Sequence, residues 1–257
     1  MKRMSKPPIF FLLIDAGNTD CKWATAGLRG PIRLAGRIAA KDITPARVHA
    51  LARKFPVHHV VLASVVPKLT LVFRRAFLKR LHVVNSASSA LGLDFNYPKP
   101  AEIGADRLAA AVAAHASGQY PAIIVACGTA TAFTVLNAKG QLCGGVIAPG
   151  RQAQLTALLG ATAQLPSVVL RPTRKALARS TQDAIRTGVV LNFQGGIKEI
   201  IQQLSKALPG RKKPRIILTG GNAHYLTKSL ELPHTLRPLL VFEGLLIIGF
   251  RLFPTNP

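Results

Sequence analysis

The chain has 257 residues, 49% of them hydrophobic, and its 34 lysines and arginines against 10 acids give a formal net charge of +24. The apolar fraction supports a buried core in one large domain or two of ordinary size, and it excludes a disordered chain. The charge indicates either an anionic partner (nucleic acid, an acidic membrane or a small anionic substrate) or only a basic, solvated surface.

In chain order, the first part of the sequence predicts alternating strands and helices. The apolar run 9–15 is typical of a buried strand, and 21–27 is its expected hairpin partner. A further strand is predicted at 58–67, a polar loop at 91–103, and helices at 45–55, 69–80 and 104–117.

The same pattern then starts again. Residues 121–150 predict three strands joined by tight turns, and 214–226 predicts a strand, a Gly-Gly turn and a helix. Further helices are predicted at 151–160, 180–208 and 241–253, where Ser180 and Asp183 resemble a capping box.

An internal repeat underlies this pattern. IDAGNT (14–19) aligns with VACGTA (125–130), and VVLASVVP (60–67) aligns in the same order with IILTGGNA (216–223). Chance similarity of strand and turn segments is the alternative, but two similar segment pairs in the same order favour duplication. We therefore predict two similar α/β halves, 1–117 and 118–257, around a central cleft.

Neither the cysteines nor the apolar segments indicate secretion. Cys21, Cys127 and Cys143 lack the spacing of a disulfide framework or a zinc site. The apolar run that ends at Asp15 is too short for a signal peptide, and 239–250 is too short to span a bilayer. A soluble cytoplasmic protein without a membrane partner is expected.

The first glycine turn follows Asp15 in a chain that is poor in acids. Backbone N–H groups at Gly17, with donors from Asn18, form an anion nest suited to phosphate, and Asp15 would hold Mg²⁺ through water. The alternative is an ordinary hairpin, for which these residues are also good turn formers. The P-loop and Rossmann glycine motifs are absent, which excludes those two nucleotide sites.

A second candidate site is GADR (104–107), at the start of a predicted helix. Asp106 would be a general base or only an acid that complements the helix dipole, and Arg107 would bind a carboxylate or face solvent. Tyr97 and Thr181 have similar alternatives, as substrate contacts or as structural residues. GGVIAPG (144–150) is interpreted as a rigid loop that lines a site.

Taken together, DAGNT, GADR, GTAT (128–131), GGVIAPG and ST-x-x-AI-x-x-G (180–188) resemble the type III pantothenate kinases, some of which are named Bvg accessory factors. The motifs occur in the family's order and cover about residues 10–250. The resemblance implies an α/β fold of two duplicated actin-like (ribonuclease H-like) halves, in the acetate and sugar kinase/Hsp70/actin superfamily. It also implies transfer of phosphate from ATP to pantothenate, the first step of coenzyme A synthesis.

The resemblance also implies site residues. The catalytic base would be Asp106. Pantothenate would be held by Tyr97, Gly104, Ala105, Asp106, Arg107 and Thr181. ATP would be bound by Asp15, Ala16, Gly17, Asn18, Thr19, Asp20, Cys21, Lys22 and Thr129. A homodimer is implied as well, with the second half in the dimer interface.

One departure concerns the monovalent cation. Many members of the family carry an Asp three residues before the threonine at 129, where it binds K⁺ or NH₄⁺, and this chain has Ala126. The usual cation site is therefore in doubt. Thr134 and Asn137 also stand where some members carry acids. Two alternatives stay open: a non-catalytic regulatory or nucleic-acid-binding protein on this scaffold, and a kinase of another small hydroxy acid.

Overall fold

The computed structural model describes residues 11–28, 30–173 and 176–254, so Ile9 and Phe10 of the first predicted strand lie outside the described residues. Two compact units divide the described chain. One holds the described residues up to Gly118 together with those from Leu239 onward, and the other is Gln119–Pro238. None of the described helices is both long and apolar enough to cross a bilayer.

Strands and helices alternate along the described residues, largely as predicted. In chain order they are β1 (Phe11–Ala16), β2 (Asp20–Ala26), β3 (Arg33–Ala39), α1 (Pro45–Lys54), β4 (His59–Ser64), α2 (Pro67–Phe77), β5 (Leu81–Val83), α3 (Ala105–Ala116), β6 (Ala122–Cys127), β7 (Ala130–Leu136), β8 (Leu142–Pro149), α4 (Arg151–Gly160), α5 (Thr181–Ala207), β9 (Arg215–Thr219), β10 (His234–Leu236) and α6 (Leu240–Leu252).

The sheet of the first unit is covered on both faces. Successive side chains of a strand point to opposite faces, and β1 shows the result. Leu12 and Ile14 pack in one cluster with residues of α1 and α2, whereas Phe11 meets the ring of Phe250 in α6 edge-on. The continuous apolar character of β1 therefore follows from burial on both sides.

The two sheets have the same topology. In the described residues the first sheet has the order β3-β2-β1-β4-β5, and the second has the order β8-β7-β6-β9-β10. In each sheet the first strand pairs antiparallel with the second and parallel with the fourth. The duplication predicted from the repeated turns is confirmed, since each element of one sheet has a counterpart in the other.

The C-terminal helix belongs with the first unit, whereas the predicted split placed residues 239–257 in the second half. Helix α6 lies against α3 at Gly244, where an added Cβ would come within 1.8 Å of the Ala109 carbonyl oxygen. Contact this close requires glycine. The packing of small residues, rather than position along the chain, assigns α6 to its unit.

Two local predictions are wrong. The interpretation of GGVIAPG as a loop is wrong, whereas the third strand predicted within 121–150 is confirmed: residues 144–149 belong to β8 and form a ladder with β7. The helix predicted after the Gly-Gly turn is only the 3₁₀ turn Ala223–Tyr225. That turn is tied back to β6 by the Asn222 amide, which donates to the Cys127 carbonyl.

Candidate functional site

The first glycine turn joins β1 to β2 and leaves its tip open. The Gly17 amide donates to the Asp20 carbonyl oxygen at 2.9 Å, and the Ala40 amide donates to Thr19 at 2.8 Å. Asn18 and Thr19 are exposed. The turn is thus fixed by backbone bonds while its two polar residues face outward, as the predicted phosphate loop requires.

The other residues predicted for this loop differ in what they can contribute. Ala16 and Cys21 are buried, and burial raises the pKa of the Cys21 thiol to about 12. The Asp20 carboxylate is paired with Arg37 on β3 at 2.5 Å. The Cys21 and Ala16 side chains therefore belong to the core, and their backbone alone is available to a ligand.

Asp15 is a carboxyl group whose surroundings disfavour its charged form. It lies on β1, opposite Lys22 of β2 and Ala63 of β4. Burial raises the pKa of Asp15 to about 6, and repulsion from Asp106 adds to the rise, while the Lys22 ammonium opposes it. The end of β1 and the start of α3 therefore present their carboxylates to a common region.

Asp106 folds back over the glycine that precedes its helix. An added Cβ on Gly104 would come within 2.7 Å of the Asp106 Oδ1 and 3.3 Å of the Val65 Cγ1. Val65 follows β4, and its amide donates to the Ala16 carbonyl at 3.2 Å. A side chain at position 104 would therefore displace the Asp106 carboxylate from its place beside the end of β1.

Arg107 and Tyr97 lie near Asp106, which together with Asp15 is called the acid pair below. Burial lowers the pKa of the half-buried Arg107, and the nearby Asp106 and Tyr97 oppose that shift. The loop before α3 and the first turn of α3 thus place a cation, a phenol and a carboxylate in mutual electrostatic range. Such a group can bind a small molecule that carries both a carboxylate and hydroxyls.

A cavity of about 770 Å³ adjoins the same loop, and sequence reasoning missed part of its wall. It is lined by Gly104 and Ala105, and by Ser64 and Thr70, whose hydroxyls are hydrogen-bonded at 2.8 Å. Its volume suits a small-molecule ligand. Ser64 was detectable in principle, because the carboxyl ends of parallel neighbours such as β1 and β4 share one edge of the sheet.

The second glycine turn, in the other unit, is held more tightly. Gly150 donates to the Thr129 carbonyl at 3.0 Å, and the Asn222 side chain donates to the Gly128 carbonyl at 3.2 Å. An added Cβ at Gly220, where φ is +88°, would come within 2.5 Å of the Cys127 oxygen. Thr129 is exposed at the tip. Glycines at 150 and 220 let two other loops close around this turn.

Ala126 and Thr181 also lie in this second unit. Ala126 is opposite Ala132 of β7 and Thr219 of β9, so its strand neighbours supply no carboxylate. Thr181 is exposed at the start of α5, behind the capping residue Ser180, whose hydroxyl accepts from the Asp183 amide at 3.2 Å. No group of three or more His, Cys, Asp or Glu side chains suited to a metal occurs in the described residues.

Two α/β units of one topology, each with a glycine turn between its first two strands, are typical of the actin-like fold class. A Campylobacter jejuni protein described as a candidate Baf family transcriptional activator shares the fold at 19% identity, with a TM-score of 0.61 over 92% of this chain and 96% of that chain. The ethanolamine utilization protein EutJ from Carboxydothermus hydrogenoformans matches at 14% identity, with a TM-score of 0.52 over 95% and 91%. Likeness at these identities concerns the fold alone, and the predicted fold class is confirmed.

Sequence comparison is more specific. The model of the type III pantothenate kinase family matches residues 11–203. A type III pantothenate kinase from Methylacidiphilum infernorum is 35% identical over 93% of this chain and 87% of that protein, and one from Akkermansia muciniphila is 32% identical over 92% and 97%. The chain belongs to the type III pantothenate kinase family. Membership confirms the resemblance inferred from the ordered motifs and favours a kinase over the non-catalytic alternative.

Proposed function

We propose that the protein transfers the γ-phosphate of ATP to the hydroxyl of pantothenate, forming 4'-phosphopantothenate in the first step of coenzyme A synthesis. Family membership supports the reaction. The single structural observation that carries the proposal is the placement of Asp15 near the end of β1 and of Asp106 at the start of α3, close enough for the charge of Asp106 to raise the pKa of Asp15. It brings a candidate phosphate-loop acid and a candidate base together at one edge of a sheet.

The nucleotide would be bound by two glycine turns. The first, from Asp15 to Lys22, offers outward-facing Asn18 and Thr19. The second offers the exposed Thr129. Backbone donors fixed in advance stabilise charge that develops on the transferred phosphoryl group without reorganising during the reaction.

Asp106 would orient the pantothenate hydroxyl for in-line attack and accept its proton. Phosphoryl transfer with a loose transition state needs little more than positioning and charge stabilisation, so a carboxylate suffices as base. Arg107 and Tyr97 are proposed to hold the carboxylate end of pantothenate, with Thr181 as a further contact. The cavity beside Gly104 and Ser64 would take the rest of the molecule.

The acid pair also fits a divalent cation. Two carboxylates that repel each other are stabilised by a cation between them, and Mg²⁺ takes one or two carboxylates while it keeps most of its water. Asp15 is the residue proposed to hold it, through water. When bound, the ion would neutralise charge on the phosphates.

Three further properties are proposed from the family and from the sequence of this chain. The protein would act as a homodimer in the cytoplasm. A monovalent cation, K⁺ or NH₄⁺, would not be held by a carboxylate at the usual position, because Ala126 occupies it.

The proposal is tested by measuring ADP release from ATP and Mg²⁺ with and without pantothenate, together with mass detection of the product. Pantothenate-dependent ADP release with matching 4'-phosphopantothenate is expected. A panel of other small hydroxy acids is the control for substrate class. Faster turnover of a different acid, with pantothenate inert, would overturn the substrate assignment.

A further inference from the structure

Arg151 is a buried cation at the first position of α4. Only 9% of the residue is exposed, and its guanidinium carbon lies 3.5 Å from the centroid of the Tyr225 ring. Within the described residues it takes part in no ion pair or hydrogen bond through its side chain. A guanidinium has five N–H donors, and burial without acceptors is costly.

The unit that contains Arg151 has few acidic residues. Its sequence, Gln119–Pro238, carries three acids. Asp183 is paired with Arg186 at 2.7 Å, Glu231 with Lys198 at 2.8 Å, and Glu199 accepts from the Gln203 amide at 2.5 Å. None of these three carboxylates forms an ion pair with Arg151 in the part of the chain that the structure describes.

The guanidinium remains open to a ligand. The enclosed side-chain polar atoms without a partner in the described residues are Trp23 Nε1 and Thr131 Oγ1, so the Arg151 nitrogens still border solvent. Stacking on Tyr225 fixes the plane of the guanidinium while leaving its N–H edge available. The ring of His224 lies 3.8 Å from that of Tyr225 and is tilted by 41° to it.

Arg151 and Tyr225 each lie next to a residue that is hydrogen-bonded to the backbone of the second glycine turn. Arg151 directly follows Gly150, whose amide donates to the Thr129 carbonyl. Tyr225 ends the 3₁₀ turn that begins after Asn222, which donates to the Gly128 carbonyl. The two segments that grip this turn are thus the two that carry the stacked pair.

The position of Arg151 is also unfavourable for a cation in the absence of an anion. The start of a helix carries partial positive charge, which repels a guanidinium and attracts an anion. From its burial, the absence of an ion pair to it within the described residues and its place beside the turn, we propose that Arg151, held by Tyr225, binds a phosphate group of the nucleotide. The assignment of the anion as a nucleotide phosphate rests on the proposed kinase function.

The test is the affinity of the full chain for ATP, ADP and adenosine, measured by calorimetry for the wild type, Arg151→Met and Arg151→Lys. Losing a charge-assisted hydrogen bond to phosphate is expected to weaken ADP and ATP binding roughly 10- to 100-fold. Adenosine, which lacks phosphate, is expected to change less than about twofold. Arg151→Lys keeps the charge but loses the planar arrangement of N–H donors. Its affinity for ADP and ATP should therefore lie between those of the wild type and Arg151→Met.

Arg211→Met is the matched control. Arg211 is exposed in the loop after α5, so this variant removes the same charge from the same unit. Its ADP affinity is expected to stay within about twofold, because surface charges are screened by salt. Thermal melts check folding, and if Arg151→Met is unfolded, Arg151→Lys decides the outcome by the same comparison.

The proposal is overturned if Arg151→Met binds ADP as the wild type does, or loses adenosine and ADP equally. It is also overturned if Arg211→Met loses as much, or if the wild type binds no nucleotide. A wild type that binds ADP through Arg151 but leaves pantothenate unphosphorylated would refute the proposed function and support this inference. The two failures are therefore distinguishable.

Discussion

The carboxylate of Asp106 lies near enough to Asp15 for its charge to raise the pKa of that residue, although the two residues lie far apart in the sequence. Their proximity is built by topology. Because β1 and β4 run parallel, their carboxyl ends share an edge, and Val65 links that edge to Gly104 at the start of α3. An acid pair held in this way disfavours the folded state unless a ligand neutralises it.

Asp15→Asn is expected to stabilise the unliganded protein while abolishing turnover. The folded protein holds the Asp15 proton up to a pKa of about 6, whereas the unfolded chain releases it near 3.8. Wild-type stability therefore falls as pH rises through that window, by up to roughly 3 kcal/mol. Urea unfolding at pH 4 and pH 8 measures the difference.

The gain from Asp15→Asn should be close to zero at pH 4 and largest at pH 8. Asp94→Asn, which removes an exposed acid from the same unit, is the control. Equal effects of Asp15→Asn at both pH values would show that the carboxylate is not held at a raised pKa.

Gly104→Ala is expected to impair catalysis more than stability. The added methyl group would meet Asp106 Oδ1 at 2.7 Å, so the carboxylate must move aside. Displacement of a catalytic group by about 1 Å costs on the order of 100-fold in rate. Steady-state kinetics should show the loss mainly in kcat, and Gly160→Ala, which has open space around it, should be active. Normal kcat in Gly104→Ala would place Asp106 outside the mechanism.

Turnover by the wild type is expected to be similar in Na⁺, K⁺ and NH₄⁺, within about threefold, because Ala126 offers no charged ligand for a cation. Ala126→Asp should introduce a preference for K⁺ or NH₄⁺ over Na⁺. Initial rates with each chloride salt at equal ionic strength measure both. A wild type that is inactive in Na⁺ and active in K⁺ would show that other groups bind the cation.

Gly244→Ala is expected to destabilise the protein by roughly 1–3 kcal/mol or more, because its methyl group would come within 1.8 Å of the Ala109 carbonyl oxygen. Gly188→Ala is the contrast: it lies within α5 with open space around it, and should stabilise by roughly 0.5–1 kcal/mol. Denaturant midpoints report both. Equal midpoints for the two variants would mean that α6 does not pack on α3.

Much of the fold could be predicted because the same sequence pattern, an apolar strand followed by a glycine turn, occurs in both halves of the chain. The glycine turns at Gly17 and Gly128 each follow an apolar strand, and the order of the similar segment pairs predicts the common topology. Asp15 and Asp106 stood out as candidates because the chain has few acids. Asp106 influences the pKa of Asp15 because the start of the GADR helix lies at the sheet edge where the first strand ends.

Other features depend on contacts that sequence patterns do not encode. Strand β3 was not predicted, since it lies at the sheet edge and has no fully buried residue. The assignment of α6 depends on the approach of Gly244 to Ala109, and the stack of Arg151 on Tyr225 joins two segments far apart in the chain. Each is a tertiary contact between residues that carry no local motif.

The comparison of Asp106→Asn with the wild type tests the central claim most directly, with turnover measured by pantothenate-dependent ADP release and ATP affinity by calorimetry. A positioned general base contributes about 10²- to 10⁴-fold, so kcat should fall by that amount while ATP affinity stays within about threefold. Turnover of Asp106→Asn within twofold of the wild type would contradict the assignment of this acid pair as the catalytic centre.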